Sequence, residues 1–203
     1  MIGDKEILKL AFEVHTAGML EVIETGKMPN VIKYIRQIRS GGVEYSLDKY
    51  KSAQKQIRLM NLSGSEFKKQ PMVSHFYDFL ISINNSRING EEATREINER
   101  LSFYQRVTDS KLELSACYSM AGVYFSSKAI AQVAKETIKV EIDKNISKGK
   151  IIKADLGGAV SGAIGGIPGG AAGMIGGSII GALGASAAAA IASLKETDNT
   201  EVK

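Results

Sequence analysis

The chain predicts an all-α fold, a multi-helix bundle followed by a glycine-zipper helical hairpin. Three observations carry that expectation. Apolar residues recur at three- and four-residue spacing through the first three quarters of the chain. Sustained period-two alternation and hairpin dipeptides between β-branched runs are missing. Helix breakers such as Gly26, Gly41-Gly42, Ser63-Gly64-Ser65 and Asn89-Gly90 fall between the periodic stretches.

Residues 4–25 place Leu8, Phe12, His15, Met19 and Val22/Ile23 on one face, with Gly26 positioned to stop the helix. Pro29 suits the start of a second helix, whose apolar positions are Val31, Ile35 and Ile38. Residues 45–62 repeat the pattern with Tyr50, Ala53, Ile57 and Met60 or Leu59. Pro71 opens a helix bearing Met72, Phe76, Tyr77, Leu80 and Ile83, and 91–107 follows with Ile97, Leu101 and Tyr104. Ser110-Lys111-Leu112-Glu113 has capping-box spacing, so a break is expected at Thr108–Ser110. The next helix, marked by Met120, Tyr124, Ala131, Ala134, Ile138 and Ile142, should run to about Asn145. Six amphipathic helices can bury a bundle core of ordinary size.

Charge is distributed unevenly. Of the chain's 203 residues, the 39 from Leu156 to Leu194 carry no charge and hold 12 of the 21 glycines together with 11 alanines. Residues 1–155 carry 24 basic and 19 acidic groups, a mixed balance unlike a nucleic-acid-binding face, so no nucleic-acid partner is expected. The expected organisation is a helical body (1–149), a glycine-rich hairpin (150–194) and a polar tail (195–203). The charged stretch Met1–Glu6 has no secretory-signal character. The expected location is therefore membrane-associated, on the cytoplasmic side or reached by a non-classical export route.

Gly158, Gly162, Gly166 and Gly170 form one four-residue ladder; Gly165, Gly169, Gly173, Gly177 and Gly181 form another. Four-residue spacing aligns each ladder along one side of a helix. Interior glycine costs a helix about 1 kcal/mol relative to Ala, so a dozen need a compensating reason. Close backbone approach with water excluded supplies one. On these residues the segment resembles the glycine-zipper stretches of membrane channels, pore-forming proteins and some bacteriocins. That resemblance covers 156–192 and implies a membrane-active protein, in a toxin or effector context, that inserts into a lipid bilayer and forms a homo-oligomer. Thirty-nine helical residues would reach roughly 58 Å, about twice a ~30 Å hydrocarbon core, which favours two spans over one. The hairpin turn could lie at Pro168 or at Gly176-Gly177-Ser178. The second gives evenly long uncharged arms and is preferred, with Pro168 then a mid-arm kink. Lys144, Lys148, Lys150 and Lys153 are placed to touch anionic headgroups, and the body could engage a protein partner. The alternative is a structural or interaction protein whose glycine-rich helices pack in a soluble ring, filament or virion-like assembly.

Catalytic patterns are weak, and no enzyme is expected. No two glycines between 157 and 184 are two apart, so no dinucleotide fingerprint can be written there. Gly26-Lys27 and Gly149-Lys150 lack the rest of a P-loop. His15 lies on an apolar stripe and reads as a core imidazole; His75 with Asp78 is a poor metal pair; Cys117 sits among core-type residues. The strip Glu91, Glu92, Glu96 and Glu99, interleaved with Arg95 and Arg100, reads as a solvated helix face. No cofactor and no metal are expected.

Overall fold

The computed structural model describes residues 2–59, 69–86, 88–137 and 148–198. Among them are eight α-helices and no strand, so the all-α expectation holds. They are α1 (Asp4–Thr25), α2 (Val31–Ser40), α3 (Leu47–Leu59), α4 (Pro71–Asn85), α5 (Gly90–Val107), α6 (Lys111–Thr137), α7 (Lys148–Gly165) and α8 (Gly170–Asp198). A single 3-10 turn, Ile167–Gly169, joins the last two.

The helix ends follow from local chemistry. Gly26 closes α1 in the left-handed region at φ 63° and donates its N–H to the Val22 carbonyl. Asn30, rather than Pro29, is the cap of α2, its side-chain oxygen accepting from the Ile32 and Lys33 N–H groups. Asn89 caps α5 through the Glu92 N–H at 2.9 Å. The expected capping box at α6 is half formed. Ser110 Oγ accepts from the Glu113 N–H at 3.4 Å, but the Glu113 carboxylate does not return to Ser110. It crosses to α4 and accepts from the Met72 and Val73 N–H groups, so the tertiary fold recruits an α6 acid to cap a neighbouring helix. The expected end of α6 near Asn145 and the 60–62 end of α3 fall outside the described residues.

A single core runs through body and hairpin. Its axis is α6, where every residue from Leu114 to Tyr124 is buried. Small side chains make that possible: Ser115, Ala116, Cys117, Ser119, Ala121 and Gly122 are all within this stretch. A Cβ added to Gly122 would overlap the Leu8 carbonyl of α1 and lie 2.8 Å from the Ala11 Cβ, so α1 and α6 pack backbone to backbone. α7 and α8 lie antiparallel against each other. α6 runs along both, α1 covers α8, and α3 and α4 flank α7. The solvated character of α5 is as expected: Arg95 pairs with Glu92 at 3.8 Å, and the Arg100 guanidinium lies 4.6 Å from the Phe79 ring centroid.

Buried tyrosines give the fold an alkaline limit. Burial raises Tyr34 from its ordinary 10.0 to about 12, aided by its hydrogen bond to the Glu21 carboxylate. Burial alone raises Tyr124 to about 12, and Tyr45 is raised further for the same reason, with the nearby Tyr50 adding to it. The folded state therefore keeps phenolic protons that the unfolded chain releases above pH 10. This contribution is complete below pH 10 and is lost as pH rises toward 12. The melting temperature should fall steeply across that interval, with tyrosinate absorbance rising together with the loss of helical circular dichroism. Tyrosinate formation that precedes unfolding would contradict the burial argument.

Candidate functional site

The glycine-rich segment forms a hairpin whose turn is at Gly166–Gly170. The Gly176-Gly177-Ser178 turn expected from arm length is not found: those residues lie inside α8, which is unbroken from Gly170 to Asp198. Pro168 is in the tip itself, within the 3-10 turn, and not at a mid-arm kink. Gly170 starts α8 at φ 65°, ψ −156°, a backbone region that a side chain would strain. The arms are accordingly unequal, 18 and 29 residues. The shorter reaches back through Lys153 and Asp155, past the end of the uncharged run.

The two ladders meet across this turn, though in a different grouping from that of the sequence. Gly158 faces Gly181, Gly162 faces Gly177, and Gly166 faces Gly173. Each four-residue step down one arm is matched by four up the other, as an antiparallel pair requires. A Cβ added at any of these six positions would overlap the opposing carbonyl oxygen. Here glycine is demanded by backbone contact and not by turn conformation. Gly165 and Gly169, assigned by spacing to the second ladder, do not join the pairing. Gly165 packs on α3, where a Cβ would lie 2.7 Å from Ile57 Cγ1 and 2.9 Å from the Ala53 carbonyl oxygen. A Cβ added at Gly169 would lie 3.5 Å from the Lys49 stem, and one at Gly170 would meet nothing within 4 Å.

The rest of the fold sheathes this pair. Tyr45, from the segment between α2 and α3, lays its ring on Gly176, where a Cβ would collide with it. Leu183 of α8 fills the space that Gly18 leaves on α1. Ser119 of α6 donates to the Ile175 carbonyl at 3.4 Å. Ala159, Ala163, Ile164, Met174, Ile175, Ile179, Ala182 and Leu183 are buried in the common core. Ile167–Ala192 is nevertheless long and apolar enough to cross a membrane, and among the described residues it is the one helical segment that is.

A polar cluster fastens the hairpin to the sheath. His15 on α1 shares a 2.9 Å hydrogen bond between Nδ1 and Ser126 Oγ of α6, and Thr16 Oγ1 lies 2.7 Å from the same oxygen. His15 Nε2 lies 3.3 Å from Asp155 Oδ1 of α7. His15, Ser126 and Asp155 are all 0% exposed. A proton on Nε2 facing the carboxylate leaves Nδ1 to accept from the Ser126 hydroxyl, whose oxygen then accepts from Thr16. Neither Asp155 oxygen makes a hydrogen bond among the described residues, so His15 is its polar partner there. A carboxylate in an apolar interior without such a partner costs several kcal/mol. Ser, His and Asp in this order resemble a hydrolytic relay, but all three are sealed in the core, where a substrate carbonyl has no approach.

His15 is thus the hydrogen-bonded core imidazole that its apolar stripe suggests. Spacing alone could not find Asp155, Ser126 and Thr16, because the three helices that bring them together are remote in sequence. The one available signal was a carboxylate directly before the uncharged run. Cys117 is buried, and burial pushes its thiol well above the usual range, with the nearby Glu113 adding to it. His75 and Asp78 are exposed on the outer face of α4. No group of three potential metal-ligating side chains is found among the described residues. Of the lysines assigned to headgroups, Lys144 lies outside the described residues. Lys148 and Lys150 are in the first turn of α7 with side chains outside them, and Lys153 is exposed.

Fold and site together define a helical bundle closed around a glycine-paired hairpin. No protein-family model matches the chain, and neither the curated proteins nor the solved structures give a significant match.

Proposed function

We propose that the protein is membrane-active and holds its inserting element in a sheathed form. The bundle is the stored state, and the glycine-rich hairpin, residues 150–194, is the element delivered to a lipid bilayer. Insertion and oligomerisation of that element would permeabilise the membrane, in keeping with the toxin or effector context of the glycine-zipper resemblance. The observation that carries the proposal is the pairing of α8, which holds most of the apolar span Ile167–Ala192, with a partner arm through bare backbone. Each arm is a helix that keeps its backbone hydrogen bonds within itself, as lipid demands, and the pair meets the sheath through side chains such as Tyr45 and Leu183 as well as at Gly165. Its only buried ionisable group among the described residues of the two arms is Asp155, which faces His15 of the sheath at 3.3 Å.

Dye release from liposomes tests the proposal. Gly184 lies within the apolar helix beside a cavity, and a Cβ there meets nothing within 4 Å, so Gly184→Glu can be introduced without a clash at its Cβ. In a bilayer the same carboxylate costs about 3 kcal/mol. The wild-type chain should release dye and Gly184→Glu should not, with equal helical circular dichroism for both. Equal release by the two proteins, or none by the wild type, sinks the reading.

One observation favours the runner-up, a structural or interaction protein. The glycine faces are already matched within the chain, so the ladder needs no second copy while the bundle is closed. Under that reading α7 and α8 are simply a tightly packed core, Gly184→Glu is silent, and the protein never associates with vesicles.

A further inference from the structure

The corner between α1 and α2 combines charge and exposed apolar surface beside a half-buried part of the hairpin. From Gly26 to Val43 the chain carries Lys27, Lys33, Arg36 and Arg39 and no acidic residue. α2 buries Tyr34, Ile35 and Ile38 and turns Ile32, Arg36 and Arg39 outward along one row, at the spacing of a single helix face. Met28 is 57% exposed and Ile32 49%. Lys33 is paired with Glu21, and with Glu24 included the corner is still net positive. Next to it is a cavity of about 320 Å³ walled by Met28, Pro29 and Val31 on one side and by Gly158, Gly181 and Gly184 on the other. There the sheath is open down to the crossing of the two arms.

We infer that this corner is the surface by which the protein docks on an anionic lipid bilayer. The inference rests on the membrane-active reading and supplies its first step. Charge complementarity selects the partner. Lys27, Arg36 and Arg39 are exposed cations suited to lipid phosphates, and Met28 and Ile32 stand among them, apolar and able to enter the headgroup boundary. Met28 belongs both to this corner and to the cavity wall, so docking here brings the cavity that reaches Gly158 and Gly181 close to the membrane.

Flotation of the full chain with vesicles tests this, with dye release recorded on the same samples. Binding to phosphatidylglycerol-rich vesicles should exceed binding to phosphatidylcholine vesicles at least tenfold at low salt and weaken as salt is added. Arg36→Glu/Arg39→Glu should lower it at least tenfold, and Met28→Ser/Ile32→Ser should lower it independently; both pairs are surface changes, and unchanged circular dichroism confirms that each variant is folded. Anionic binding that survives both variants overturns the inference, even if dye is released, and leaves the insertion reading standing. Binding lost in the variants but never followed by dye release supports the docking surface and sinks insertion. A wild type that floats with neither vesicle overturns both. A variant that changes the oligomeric state without lipid overturns the lipid assignment in favour of a protein contact.

Discussion

Gly162→Ala is expected to destabilise the protein by about 3 kcal/mol, whereas Gly184→Ala, in the partner arm, is expected to stabilise it by about 1 kcal/mol. The two substitutions add the same methyl group to the same kind of helix. At Gly162 the new Cβ would overlap the Gly177 carbonyl oxygen, and backbone on both sides leaves no flexible side chain to move aside. The arms must part, and the buried contacts of Ile164, Met174 and Ile175 loosen with them. At Gly184 an added Cβ meets nothing within 4 Å, so the substitution only removes conformational freedom from the unfolded chain. Gly157, equally unobstructed, should behave like Gly184, and Gly158 and Gly181 like Gly162. Urea denaturation of these variants measures the signs directly. If all the glycines responded alike, the matched rows would not be the reason for the segment's composition.

That division of the glycines was only partly legible in the sequence. Helix ends were readable where a local residue decides them, as Gly26 and Ser110 do, because capping needs only neighbours within a few positions. The four-residue ladders were readable too, since helical periodicity alone aligns them. Which ladder faces which was not. Gly165 shares the spacing of Gly173, Gly177 and Gly181 yet lies across the turn from them and packs on α3. The turn departs from the position that arm length predicts for a related reason. Equal uncharged arms suit two membrane spans, but in the bundle the first arm has no need to be charge-free. Asp155 is accommodated because His15 is delivered to it from α1, an encounter that no spacing along the chain encodes. Glu113 makes the same point: its position predicts a cap on its own helix, and tertiary packing spends it on α4.

Loss of one member of the buried pair should cost more than loss of both would suggest. Asp155→Ala and His15→Ala are each expected to destabilise the bundle by about 3 kcal/mol, because each strands the other polar group in a core with no solvent. The double variant should fall short of the sum by more than 1 kcal/mol, since the second substitution no longer strands a partner. Ser126→Ala, which leaves the His15–Asp155 contact in place and removes one hydrogen bond, should cost about 1 kcal/mol. Strict additivity would show that the 3.3 Å contact carries no coupling. The same variants bear on the proposed release of the hairpin. Asp155 is the point where α7 meets the polar cluster of the sheath, 3.3 Å from His15, and it is also an acid that the bilayer centre disfavours. Asp155→Asn weakens the first restraint and relieves the second, so it should shorten the lag before dye release even as it lowers the melting temperature. His15→Ala weakens the sheath but leaves the carboxylate for the bilayer to accommodate. Faster release from Asp155→Asn than from His15→Ala, at matched loss of stability, is the result that separates a gate on insertion from a merely weakened core.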